Sequence, residues 1–433
     1  MKKNILSITT ALFLAFTMSA QLSPQITSWI INVNNATGYG GLPSNVQTVQ
    51  YSASQVYVSC SSIPSYSIGP WAGNPNVPSN QNFVCKFTRT PMQNTLTTVY
   101  TPLGNMGLWS NGVSIFNPKD GQYWNNVTSS FTMGATTNGY NRNALVYEGA
   151  SFDNCLGHPG PGGTYHNHVN PPCLYNATLT TVHSPIIGYA FDGFPVYGAF
   201  AYTNINGTGA IKRMVSSYVL APSTGSVLLG ANTASAAASP TTPTSRNAGP
   251  PVNVTYPLGN MLEDYVYSAG SGDLDDHNGR FCVTPEYPSG TYAYFVTLNA
   301  SLAPAYPFVL GPTYYGTVQS GNTGPGGSHI VISEATTVYN SPSGINAQQK
   351  TEIKYSIMPN PTQDYVFIDM NPESMNNVKC NLFDSNGKAI QVIEYLQPGI
   401  AYKLDLTDLS SGIYYLVLQT NGQKTSQKII KIK

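Results

Sequence analysis

Between residues 21 and 335, apolar residues seldom recur at the three-and-four spacing that gives a helix its apolar stripe. They alternate over short runs instead, as in QTVQYSASQVYVSC and GTYAYFVTLNA, and SHIVISEATTVY is a further strand candidate. In an extended chain alternate side chains share a face, so each run suits a strand buried on one side. Gly (40 residues), Pro (32), Asn and Ser interrupt the runs every few positions, and these residues make turns. Thirty tyrosines, with Thr and Val, add strand preference. The expected class is mainly β, with an irregular, loop-rich domain over most of the chain.

Only 9% of the 433 residues are charged, 19 basic against 19 acidic. A nucleic-acid binder would carry a basic patch or stripe, so nucleic acid is not an expected partner. A hydrophobic fraction of 41% with so little charge also excludes a disordered chain. The start, MKKNILSITTALFLAFTMSAQ, has two lysines, an apolar run from Ile5 to Met18 and small residues at Ser19 and Ala20. That is the plan of a secretory signal peptide over 1–20, with an apolar run short for a membrane span. No later apolar run is long enough to span, so no integral membrane segment is expected in the mature chain.

Residues 21–335 form the expected main domain. Within it, 221–251 is poor in aromatics and rich in Ala, Ser, Thr and Pro, which reads as a surface insertion. The string PLGNM occurs at Pro102–Met106 and again at Pro257–Met261 with unlike flanks, so it is taken as shared turn chemistry rather than a repeat. A polar linker is expected over 336–354. Residues 355–433 then run as strands with turns at Ser385-Asn386-Gly387, Ser411-Gly412 and Asn421-Gly422, enough chain for a small β-sandwich. Pro359-Asn360-Pro361, Phe383-Asp384 with Asn386-Gly387, LSSGIYY and the Lys-rich final strand resemble the C-terminal sorting domain of the type IX secretion system. The resemblance implies that the type IX machinery is a partner. It also implies passage through the periplasm to the outer-membrane surface or the medium, with cell-surface attachment or release.

Export permits disulfides, and six cysteines allow 15 full pairings. Cys60 and Cys85 bracket one Pro/Asn/Ser loop, and Cys155 and Cys173 bracket the stretch LGHPGPGGTYHNHVNPP; these are the two candidate pairs, with Cys282 and Cys380 left as free thiols. Three of the six histidines lie inside the second loop, and a fourth, His183, follows closely. On a strand His166 and His168 project from one face. Two imidazoles so placed can hold Zn, Cu or Fe, while calcium, which takes oxygen ligands, fits less well. His158, brought back by the flexible HPGPGG loop, His183 or Asp192 could complete the site. If three of these share a metal, their ring nitrogens converge within about 4–5 Å. A metal-free acid–base pair and a plain polar loop are the alternatives.

Two downstream blocks carry further polar residues. Asp192-Gly193, inside HSPIIGYAFDGFPVYG, is either a turn or a carboxylate that binds or orients. In SGDLDDHNGRFC, Asp273, Asp275 and His277 occupy positions 1, 3 and 5 of a possible calcium loop, but Asn278 stands where Gly belongs and Thr284 where Glu is needed. A surface turn is the better expectation there, with Asp275 and His277 able to reach a shared pocket.

The ordered set GHPGPGGTYHNHVNPPC, HSPIIGYAFDGFPVYG, DLDDHNGR and GTYAYFVT resembles the YHYH-domain family, over roughly residues 85–320. The family implies an exported, largely β domain and brings no secure activity. Its positions fall on Tyr165, His166 and His168, then His158, His183, Asp192, Gly193, Asn278, Gly279 and Arg280. The second Tyr of the motif is Asn167 here, which faces away from the histidines on a strand, so a His-based site survives the change. The functional expectation is an exported protein with a metal site on His166 and His168. The alternative is a non-catalytic module that binds glycans or other surface material through exposed Tyr, Trp and Asn.

Overall fold

The computed structural model describes residues 22–32, 35–137, 139–221, 224–227, 242–246, 249–324, 326–340, 355–370, 378–396, 401–420 and 423–432. The segment expected to be a signal peptide, most of the expected insertion over 221–251, residues 341–354 of the expected linker and the expected Asn421-Gly422 turn lie outside these. Within the insertion, Thr224–Val227 pairs in parallel with Thr242–Arg246. The chain divides into two units, residues 1–340 and 341–433.

The run QTVQYSASQVYVSC becomes an antiparallel hairpin, Val46–Tyr51 with Gln55–Cys60. Its turn is held by Ser52, whose hydroxyl accepts from the amides of Ser54 and Gln55. Phe83–Thr88 and Thr337–Val338 complete a four-stranded sheet. Residues 337–338, assigned to the linker by composition, thus belong to the first unit. SHIVISEATTVY yields only that two-residue strand and a single bridge from His329 to Val84. The run lies mostly on the surface, with Val331 86% exposed, and of its apolar residues only the last, Tyr339, packs against a core.

The centre of the first unit is an eight-stranded sheet. From one edge its order is Gly279–Cys282, Thr291–Phe295, Pro195–Tyr197, Ile186–Ala190, Asn105–Trp109, Ser114–Phe116, Tyr165–Asn167 and His158–Pro159. One face packs Trp109, Ile187, Tyr165, Tyr292 and Tyr294 against Tyr306, Phe308 and Val309 from the chain that follows. The other packs Leu108, Tyr189, Tyr197 and Phe295 against Val49, Val58, Phe83 and Phe87 of the four-stranded sheet. A sheet covered on both faces buries both sides of its inner strands. That is why Ile186–Ala190 and Thr291–Phe295 are buried throughout. The helices Pro24–Thr27 and Ala144–Tyr147 are single turns.

In the second unit Tyr355–Met358, Tyr365–Met370 and Ala401–Asp405 form one sheet, and Ala389–Leu396, Val378–Asp384, Gly412–Thr420 and Gln423–Lys431 another. Val366, Ile368 and Leu404 from the first share a core with Leu382, Leu416, Leu418 and Ile429 from the second, which makes this unit a β-sandwich. Cys380 is a free thiol buried in it.

Candidate metal centre

Cys155 and Cys173 are bridged, and the chain between them is pinned to the edge of the central sheet. Tyr165–Asn167 runs parallel to Ser114–Phe116, and His158–Pro159 folds back antiparallel so that His158 lies opposite His166. His168 sits just beyond the strand. The three imidazoles, each 3–4% exposed, present ring nitrogens that all lie within 4.8 Å of one another. His166 Nε2 is 3.1 Å from His158 Nε2 and 3.1 Å from His168 Nε2. Four ligands at about 2.05 Å in a tetrahedron stand about 3.3 Å apart, close to that spacing.

The other ring nitrogens settle the tautomers. His166 Nδ1 faces the Thr164 carbonyl at 2.9 Å, and His168 Nδ1 faces the Asn117 carbonyl at 2.6 Å. A carbonyl only accepts, so both Nδ1 atoms carry the proton. His158 Nδ1 lies 2.8 Å from the Ser151 hydroxyl, whose own proton is donated to the Glu148 carbonyl. Asn74 Nδ2 lies 3.5 Å from the same nitrogen, farther than the Ser151 hydroxyl, and bonds the Pro159 carbonyl at 2.9 Å; the shorter Ser151 contact decides, and His158 Nδ1 is a donor as well. All three Nε2 lone pairs turn inward. Glu148 Oε2 joins them, 3.3 Å from His168 Nε2 and 3.7 Å from His158 Nε2, a buried oxygen with no hydrogen bond. Four acceptors then face one another without a donor among them, an arrangement that a cation stabilises.

Burial keeps the His158 and His166 rings neutral. It pushes the His158 pKa down from 6.5 to about 4, with the neighbouring His168 adding to the shift. His166 is held well below its ordinary value, by burial first and then by His168 and His158. Aromatic walls fix the ring planes: Phe116 stacks on His166 at 3.8 Å between centroids, and Phe152 meets His158 edge-on at 4.8 Å. Behind the ligands, Asp153 accepts from Tyr165 Oη, from the amides of Cys155, Gly157 and Gly69, and from Trp71 Nε1.

The remaining candidates stand elsewhere. His183 Nδ1 bonds the Ser184 carbonyl, and its ring packs on Tyr197 and Tyr202. Asp192 accepts from Tyr294 Oη at 2.6 Å and from the Gly316 amide, and burial raises its pKa to about 6. Asp275 accepts from Tyr292 Oη and from the amides of His277 and Gly279. Asp273 pairs with Lys212. These acids are thus committed to the protein's own donors rather than to a calcium loop. His277 bonds Thr313, and Arg280 donates to the Tyr202 carbonyl. Cys60 and Cys85 are both free and buried, which corrects the pairing expected from their spacing. Cys60 lies opposite Phe83 and Cys85 opposite Val58, so the two are diagonal on neighbouring strands. Diagonal positions stand about 7–8 Å apart, beyond disulfide reach.

Glu148, Ser151 and Asp153 were not singled out from the sequence. A signal was present: Glu148 and Asp153 are the only acidic residues between Asp120 and Asp192, in a chain where acids are scarce.

Fold and site together define a mainly β protein of two units, with a buried three-histidine cluster in the first and a β-sandwich for the second. The chain belongs to the YHYH protein family, whose model matches residues 84–307. Residues 356–433 match the secretion system C-terminal sorting domain, which implies export to the cell surface or secretion. No curated protein matches the chain. Among solved structures, dimeric latent PorU from Porphyromonas gingivalis is 21% identical, over 18% of this chain and 9% of its own, with a TM-score of 0.15. PorZ from the same organism, described as an essential bacterial surface component of the type-IX secretion system, is 11% identical over 89% of this chain and 59% of its own, at 0.18. Likenesses that low carry no argument about the fold. Among the described residues no helix is long and apolar enough to cross a membrane.

Proposed function

We propose that this exported protein binds a divalent transition ion through His158, His166 and His168, with Glu148 as the fourth ligand. The observation that carries the proposal is the convergence of three Nε2 lone pairs whose Nδ1 protons are already spoken for. Imidazole and carboxylate suit Cu2+, Zn2+ or Fe2+, and the Irving–Williams order puts Cu2+ tightest at a site of this kind. The side chain of Glu148 is 29% exposed against 3–5% for His158 and His168, so an exchangeable ligand or substrate would reach the ion from the Glu148 side.

The test is metal stoichiometry. The full chain, stripped with chelator and reconstituted in turn with Cu2+, Zn2+ and Fe2+, is expected to hold one ion per molecule by elemental analysis. The double variant His166→Ala, His168→Ala is expected to hold none. A parent chain that takes up no stoichiometric ion refutes the proposal.

A further inference from the structure

The strand order of the central sheet is matched from its two edges. Asn105–Trp109, a turn at Asn111-Gly112 and Ser114–Phe116 form a hairpin; Ile186–Ala190, a turn at Asp192-Gly193 and Pro195–Tyr197 form its counterpart. Asn111 Oδ1 accepts from the Val113 amide and Asp192 Oδ1 from the Phe194 amide. Gly112 and Gly193 both adopt positive φ, at 79° and 89°. Against each hairpin lies a parallel strand, Tyr165–Asn167 on Ser114–Phe116 and Thr291–Phe295 on Pro195–Tyr197. Outside each comes an antiparallel edge strand. The two halves meet with Gly107 opposite Ala190, Leu108 opposite Tyr189 and Trp109 opposite Gly188. That register is self-complementary, as at a two-fold interface.

The correspondence extends to a carboxylate. Asp153 Oδ1 accepts from the amides two and four residues on, at 2.9 and 3.1 Å; Asp275 Oδ1 does the same at 3.0 and 3.1 Å. Each also accepts a tyrosine hydroxyl, Tyr165 and Tyr292. Each loop carries a non-glycine residue at positive φ, Leu156 and Asn278. Each ends on a glycine, Gly157 or Gly279, where a Cβ would stand 2.4 Å from that hydroxyl. The ligands differ, and Asp153 alone also accepts from the Gly69 amide and Trp71 Nε1. Counting from the paired tyrosines and glycines, His158, His166 and His168 correspond to Arg280, Ala293 and Phe295. Arg280 lies over the Phe295 ring at 5.7 Å, much as the His158 and His168 rings lie 5.6 Å apart.

We infer that the sheet is an internal duplication of which only the first half carries the metal centre, and that Asp153 is the positioning residue that sets His158 and His166 for the ion. This rests on the metal reading given above. One carboxylate holds Gly157 and Tyr165, the residues immediately before two of the ligands. Asp275 makes the same staple where there are no ligands to position, so it separates structural support from positioning.

The experiment compares the full chain with Asp153→Asn and Asp275→Asn. Both variants are expected to lower the thermal midpoint of the metal-free protein. Asp153→Asn alone is expected to weaken Zn2+ binding, measured by chelator competition, by about tenfold or more, and to shift the visible absorption of the Co2+ form. Equal losses of affinity in the two variants, or parental affinity and spectrum in Asp153→Asn, would overturn the assignment. If Asp153→Asn does not fold, Asp153→Glu keeps the charge but displaces it; a shifted Co2+ spectrum supports the role and an unshifted one refutes it. A parent that takes up neither ion refutes the metal reading and the positioning role together, an outcome distinct from a binding parent with an indifferent Asp153.

Discussion

A single proton on each imidazole decides what the cluster can do. With Nδ1–H committed to Thr164, Asn117 and Ser151, protonating Nε2 means charging a buried ring. The His158 pKa of about 4 lies below its unfolded value of 6.5, so as the pH falls the unfolded chain takes up the proton first. The contribution of His158 to the stability of the metal-free protein is therefore complete above pH 6.5 and is lost towards pH 4, about 3 kcal/mol in all. Urea midpoints in chelator at pH 7 and 4.5 check this; a His158→Asn variant with the same acid loss as the parent would count against it. At Glu148, the Gln variant keeps the shape and removes the charge. It is expected to weaken the ion by about tenfold, whereas the double alanine variant abolishes binding. The pair His166 and His168 was legible because strand period alone puts both on one face. Glu148 was not, since it reaches the site through a turn of chain whose path no periodicity records.

At the level of elements, the site depends on a loop that folds back onto a sheet edge. His158–Pro159 is a two-residue strand and cannot hold itself; it is placed by its pairing with Tyr165–Asn167 and by the Cys155–Cys173 bridge. The bridge spans 18 residues, a closure worth about 3 kcal/mol by chain entropy. Replacing both cysteines by Ser is expected to lower stability by that order and to weaken metal uptake; unchanged uptake would mean the sheet pairing alone suffices. Gly157 has a tighter constraint, because a methyl group there would stand 2.4 Å from Tyr165 Oη and 2.8 Å from Asn167 Nδ2. Gly157→Ala is expected to cost about 1–3 kcal/mol in a denaturation series. The same spacing logic that found this bridge misassigned Cys60 and Cys85. They bracket a loop as well, but an antiparallel register set by their neighbours leaves them diagonal.

For the whole molecule, the sorting domain and the histidine domain are separate units with separate tests. Removing residues 355–433 is expected to leave the protein in the periplasm with its metal stoichiometry intact; normal surface delivery of the truncated chain would refute the export role. The strand class, the C-terminal sandwich and the two family resemblances could all be read from sequence, because each rests on a local signal: alternation, turn residues or a short motif. The repeated string PLGNM pointed to no repeat, and the matching halves of the sheet share almost no string. What they share is register, positive-φ positions and a carboxylate that ties two amides and a tyrosine, features that exist only once distant segments pair. For the same reason the tertiary structure, not the sequence, excluded His183 and Asp192 from the cluster and brought in Glu148. Whether a side chain reaches a shared point in space depends on how strands far apart in the chain are ordered in the sheet, and local pattern carries no record of that order.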